Sequence, residues 1–198
     1  MPSVRTFVAI ELKPGFLDAL EEVQEQLRRG EGGQAGRWVK RDSLHLTLKF
    51  LGEVPVKQLE SVYEAVGRAC EGYNPFVLTM TGLDCLPNPR RPRVICMGVQ
   101  EDTGQLLGVL RSVESELSRL GFPAERRRFR PHLTLARIHI RATRWEVEAL
   151  VDSVARYEVA ERARMRVSEV SVVRSDLRPE GPVYTRLFQA SLTGGEGH

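Results

Sequence analysis

The chain has 198 residues, 41% of them apolar and 28% charged, with a formal net charge of +3. That length and mix suit a soluble body that buries its own core, and they exclude a disordered, collagenous or disulfide-stapled chain. A net charge of +3 is too small to identify a nucleic-acid binder by itself.

In chain order, Thr6 to Leu12 is β-branched and apolar enough for a strand. Pro14 and Gly15 then open a helix whose buried face is Phe16, Leu17, Leu20, Val23, Gln24 and Leu27, at three-and-four spacing. A glycine-rich loop over 30–36 precedes a strand over 44–51. A second helix runs from Val56 to Glu71 on Leu59, Val62, Val66 and Cys70, and a strand from Phe76 to Leu83 closes the half. The order then repeats: a strand over 94–99, a helix over 104–120, a strand over 133–138, a helix over 145–154, and strand between Val159 and Val173. The turn Pro179-Glu180-Gly181-Pro182 leads to a last strand over 183–192, and the glycine-rich end, 194–198, reads as a frayed tail.

Both halves carry the same tetrapeptide, His45-Leu46-Thr47-Leu48 and His132-Leu133-Thr134-Leu135. The distance from the first strand is also nearly equal: 39 residues from Thr6 to His45 and 38 from Val94 to His132. Two copies of a strand–helix–strand–helix–strand unit, approximately 5–83 and 93–192, therefore make one domain spanning 1–198, with a pseudo-two-fold axis. The fold class is α+β: an internally duplicated, two-lobed body with antiparallel sheets lining a central cleft and helices packed outside.

In a strand, alternate side chains face opposite ways. Each tetrapeptide puts two leucines into a core and a histidine beside a threonine on the other face. If the axis runs between the two strands, two imidazoles and two hydroxyls meet in one cleft. A neutral imidazole can take a proton from water while a charged one gives a proton to a departing ribose oxygen. The hydroxyls of Thr47 and Thr134 can donate to phosphate oxygens. No carboxylate or cysteine stands near either histidine at ligand spacing, so no metal and no cofactor are expected. A single His-x-Thr carries no weight against a structural histidine. A doubled one does, because a structural role would not keep the polar face alike in both halves. His139 and His198 lack such a partner.

These residues resemble the two-histidine phosphoesterase superfamily, and within it the LigT-like RNA 2′,3′-cyclic phosphodiesterases. The likeness covers nearly the whole chain. It includes Arg5-Thr6-Phe7-Val8-Ala9-Ile10, the run from His45 to Lys49-Phe50-Leu51-Gly52, Pro131-His132 through Ala136-Arg137, and Ser175-Asp176-Leu177 through Gly181-Pro182-Val183-Tyr184. The resemblance implies hydrolysis of RNA 2′,3′-cyclic phosphate ends to 2′-phosphates. His45 would be the proton donor to the leaving oxygen and His132 the proton acceptor from water. Arg137 would grip the phosphate and Phe50 would stack on the terminal base, while a part for Tyr184 is only suggested.

The same site could run as a 2′-5′ ligase, with an RNA hydroxyl in place of water. A non-catalytic RNA- or nucleotide-binding module is the remaining alternative, though such a module needs neither histidine. Strict alternation puts Phe50 and Arg137 on the leucine face. A strand end, twist or bulge after the fourth residue of each motif is therefore expected. Otherwise Phe50 is a core residue and Arg137 a surface ion-pair partner.

Arginine-rich loops at Arg90, Arg91 and Arg93 and at Arg126, Arg127, Arg128 and Arg130 either meet phosphates or are simply solvated. Cys70, Cys85 and Cys96, odd in number and without C-x-x-C spacing, read as reduced and buried. Arg5, Glu11 and Lys13 break the first hydrophobic run, so neither a signal peptide nor a membrane partner is expected. With reduced cysteines and no such segment the chain is expected in the cytoplasm, and with the cleft complete within one chain a monomer suffices.

Overall fold

The computed structural model describes residues 2–125, 128–158, 163–179 and 181–194. Arg126, Arg127, Glu180, the segment 159–162 and the tail 195–198 lie outside the described residues. In chain order the elements are β1 (Ser3–Glu11), α1 (Pro14–Arg29), β2 (Gly36–Trp38), β3 (His45–Pro55), α2 (Leu59–Cys70), β4 (Phe76–Leu86) and β5 (Val94–Gln100). There follow α3 (Gln105–Arg119), β6 (His132–Ile138), α4 (Arg144–Arg156), β7 (Arg164–Val167), β8 (Glu169–Arg178) and β9 (Gly181–Ser191).

The helices form where local chemistry starts them. Pro14 stands in the first turn of α1, and Thr143 with Glu146 forms a reciprocal capping box on α4. Helix α1 buries Phe16, Leu20, Val23, Gln24 and Leu27, with Leu17 at the margin. The glycine-rich loop needs a correction. It contains a 3₁₀ turn over Gly33–Ala35 and runs directly into β2, a three-residue strand with no periodicity of its own. Strand β2 exists because β6 supplies a ladder for it.

Two antiparallel sheets result, with strand orders β3-β1-β8-β9 and β2-β6-β5-β4-β7. Apart from β2, the two orders correspond one to one. Each places a histidine strand beside the first strand of the same half, and then a strand from the other half. The third strand of each sequence repeat thus belongs to the sheet of its counterpart. Three helices cross between the halves as well, α2 onto β8 and β9, α3 onto β3 and α4 onto β4, while α1 packs on β2 of its own half. Because of that interleaving, the buried apolar side chains of both sheets and all four of these helices form one continuous cluster. A second, small cluster of Phe7, Ala9 and Val173, flanked by Tyr184, lies on the opposite face of the first sheet.

All three cysteines are free and buried, and burial pushes their thiols up, to about 12 for Cys70 and Cys96 and about 11 for Cys85. Among the described residues no helix is long and apolar enough to cross a membrane.

Candidate active site

Strands β3 and β6 belong to different sheets yet approach each other with Cα atoms within 8 Å. Their inward faces bury Leu46, Leu48, Leu133 and Leu135, while His45, Thr47, His132 and Thr134 are half-buried on the other side. The expected break in alternation is present in both strands, at the same place. Along β1 the register jumps from Val8 opposite Lys49 to Ala9 opposite Thr47, leaving Leu48 as the extra residue. Along β5 it jumps from Ile95 opposite Ala136 to Cys96 opposite Thr134, leaving Leu135 extra. Each bulge turns two consecutive residues inward, Leu48 with Lys49 and Leu135 with Ala136. The next side chain therefore emerges on the histidine face.

That side chain is Phe50 in one strand and Arg137 in the other. Phe50 is 70% exposed, which removes the core reading. Arg137 is exposed and has no ion pair among the described residues, which removes the surface-pair reading.

The two histidines are held alike. His45 Nδ1 lies 2.9 Å from the carbonyl oxygen of Ser43, and His132 Nδ1 lies 2.7 Å from that of Arg130. A carbonyl only accepts, so each Nδ1 carries the hydrogen. Nε2 of each ring is then a bare acceptor when the imidazole is neutral and a donor when it is charged. Their flanks differ. The residue opposite His45 on β1 is Glu11, whereas the residue opposite His132 on β5 is Gly98. A Cβ at position 98 would stand 2.5 Å from the Thr81 hydroxyl, so any larger residue there would have to displace that side chain.

Glu11 accepts hydrogen bonds from Arg186 on β9, including 2.6 Å from Nε. Those bonds hold its carboxyl below the usual range despite partial burial, and Ser171 adds a further hydrogen bond. The His45 ring stacks on Phe7 at 4.7 Å between centroids and meets the edge of Tyr184 at 5.1 Å. Phe50 stands 6.1 Å from Phe7, so four rings share one wall. Burial among them pushes the imidazole down to about 4. The Ser43 carbonyl and the Glu11 charge push it back up, and the Arg137 charge lowers it further. The Tyr184 phenol is raised by burial, against the pull of Arg137 and Arg5.

Arg137, from one sheet, is thus electrostatically coupled to His45 and Tyr184 of the other. The arrangement offers two imidazole nitrogens, two hydroxyls and an unpaired guanidinium against an aromatic wall, a set able to bind a phosphate and move protons around it. Phe7 and Glu11 escaped sequence reasoning as members of this wall. Only the β1–β3 register sets them beside Phe50 and His45, and no local motif marks them.

Of the arginine-rich loops, Arg126 and Arg127 lie outside the described residues. Arg90 and Arg91 line an open groove against Arg144 and Glu148 of α4, and Arg130 donates to Asp84 at 2.9 Å. Among the described residues, no three His, Cys, Asp or Glu side chains converge as metal donors.

The family model of LigT-like phosphoesterases matches the chain twice in succession, over residues 10–96 and 98–184. The RNA 2′,3′-cyclic phosphodiesterase of Methanothermobacter thermautotrophicus is 36% identical over 92% of this chain and 95% of that protein. The protein of the same description from Thermotoga maritima is 32% identical over 97% of each. The crystal structure of the Thermus thermophilus protein TT0787 superposes with a TM-score of 0.80 at 30% identity, covering 98% of this chain and 100% of that one. With the duplicated histidine strands matched along their whole length, the chain belongs to the LigT-like phosphoesterases.

Proposed function

We propose that the chain hydrolyses RNA 2′,3′-cyclic phosphate ends to 2′-phosphates by general acid–base catalysis between His45 and His132. The observations that support this reading are that strands β3 and β6, each with a carbonyl-anchored histidine, approach each other, and that the unpaired Arg137 of β6 acts electrostatically on His45 of β3. His132 Nε2, beside Gly98, takes a proton from water. His45 Nε2–H, beside the Glu11 carboxylate, gives a proton to the 3′-oxygen as its bond to phosphorus breaks. Glu11 supports the donor assignment, since of the two histidines only His45 has a carboxylate opposite it in register.

In the free protein His45 is held neutral by burial. A bound cyclic phosphate adds a negative charge and neutralises Arg137, and both changes raise the imidazole toward its charged form. Thr47 and Thr134 donate to the non-bridging oxygens, Arg137 pairs with the same charge, and the exposed ring of Phe50 stacks on the terminal base. Every group in this scheme is a side chain of one chain, so it calls for neither a metal nor a second copy, and a cytoplasmic monomer suffices.

The test is a short RNA ending in a 2′,3′-cyclic phosphate, incubated in EDTA with wild type, His45→Ala and His132→Ala, followed by mapping of the 3′ end. Wild type should leave a 2′-phosphate, and each variant should lose at least about a hundredfold in turnover while still binding the RNA. Activity surviving in either variant would remove the acid–base pair. Binding without turnover in wild type would make the chain a binding module.

A further inference from the structure

Strand β2 contributes three residues to the edge of the second sheet, and several independent contacts hold it there. Gln24 Nε2 donates to the Val39 carbonyl at 2.9 Å, Trp38 Nε1 donates to Gly33 at 2.9 Å, and a Cβ at Gly36 would meet Ala136 at 3.2 Å. Gly36 and Trp38 face the helices. The one side chain that β2 presents on the opposite face is Arg37, which is exposed. Its direct partner across the ladder is Arg137.

Residues directly opposite in an antiparallel pair share a face, with Cβ atoms about 4.5–5.5 Å apart, and like charges in that position repel. Neither arginine has an ion pair among the described residues, although α1 is rich in carboxylates. Glu25 is taken by Arg28 and Arg29, and Asp18 and Glu21 by Arg41. A rigid edge strand thus carries an uncompensated guanidinium beside the one that faces His45. Such a pair is stable when anions lie against both. Neighbouring strands run about 4.8 Å apart, and splayed guanidinium groups reach further, which suits two successive phosphates better than one.

We infer that Arg37 is the anchor for the phosphodiester immediately 5′ of the terminal nucleotide. This assignment rests on the proposed reaction, with Arg137 on the cyclic phosphate and Arg37 one nucleotide upstream. The cleft then prefers an RNA end to a cyclic mononucleotide, which lacks that second phosphate.

The experiment compares a dinucleotide ending in a 2′,3′-cyclic phosphate with the corresponding nucleoside 2′,3′-cyclic phosphate, on wild type, Arg37→Gln and Arg37→Lys. The ratio of their kcat/KM values should favour the dinucleotide in wild type. It should fall about tenfold in Arg37→Gln, the loss expected for one charge-assisted phosphate contact, and recover in part in Arg37→Lys. An unchanged ratio, with both substrates equally affected or neither, overturns the assignment.

A calorimetric arm uses the two 2′-phosphate products as ligands. There the dinucleotide's advantage in Kd should shrink by the same factor in Arg37→Gln, and an undiminished advantage overturns the subsite. If wild type turned over neither substrate, the proposed reaction would fail, yet the calorimetric arm would still decide Arg37.

Discussion

At the scale of the residue, the site is two copies of one design that diverge in what surrounds each ring. Both imidazoles donate Nδ1–H to the carbonyl two residues upstream, which leaves both Nε2 atoms for chemistry. Glu11 stands opposite one ring and Gly98 opposite the other, and Phe7 and Tyr184 pack against His45. The Glu11 charge raises the His45 imidazole, so replacing it with glutamine must lower it, and Arg186, freed from its partner, acts in the same direction. His45 titrates at about 4 in the free wild-type protein. NMR titration of the ring in Glu11→Gln should give a lower value. Because the proposed donor works only while charged, the alkaline limb of kcat, which reports the substrate complex, should move to lower pH in the same variant. A ring that titrates at or above the wild-type value would show that the Glu11 charge does not raise it.

Secondary-structure elements brace the site across the two halves. Helix α1, from the first half, reaches β6: Gln24 Nε2 donates to the carbonyl of Leu135, the extra residue of the bulge, at 2.8 Å. Helix α3, from the second half, reaches β3: Glu114 pairs at 2.8 Å with Lys49, which sits in the other bulge and also donates to Pro123. Each first helix therefore pins the bulge that turns Phe50 or Arg137 toward the cleft.

Lys49 is 5% exposed, so Glu114→Gln leaves a buried ammonium without its counter-charge, at a cost of about 3–5 kcal/mol. Restoring an apolar pair, Lys49→Met with Glu114→Leu, should recover most of it. Gln24→Leu strips a hydrogen bond from each of two carbonyls, Leu135 and Val39, and should cost about 1–3 kcal/mol. Urea unfolding measures all four proteins. Wild-type stability in Gln24→Leu would mean that the Val39 amide, at 2.8 Å, satisfies the Leu135 carbonyl alone.

For the whole molecule, the exchange of third strands decides how it unfolds. Separated at the 88–93 loop, the first half would keep β4 but lose β5 and β7, the strands that pair with it. Its buried Phe76, Leu78 and Met80 would then face water. Fragments 1–90 and 91–198 should each fail to unfold cooperatively, whereas the intact chain should show coincident transitions by tryptophan fluorescence and far-UV circular dichroism. Two separated transitions would mean that the lobes are independent.

Sequence reasoning reached far because the chemistry is local and doubled. Helix faces follow from the spacing of apolar residues, and the leucine and histidine faces of β3 and β6 follow from alternation. The site roles that the family resemblance gives Phe50 and Arg137 conflict with strict alternation, and that conflict implied a strand end, twist or bulge. Such features are dictated within a few residues of chain, where backbone geometry alone sets the direction of a side chain. Strand β2, the Glu11–His45 and Arg37–Arg137 pairings, the buried Lys49 and the exchanged strands were not legible. They depend on which strand lies beside which, and in what register, and that is settled only when distant segments bury a common core.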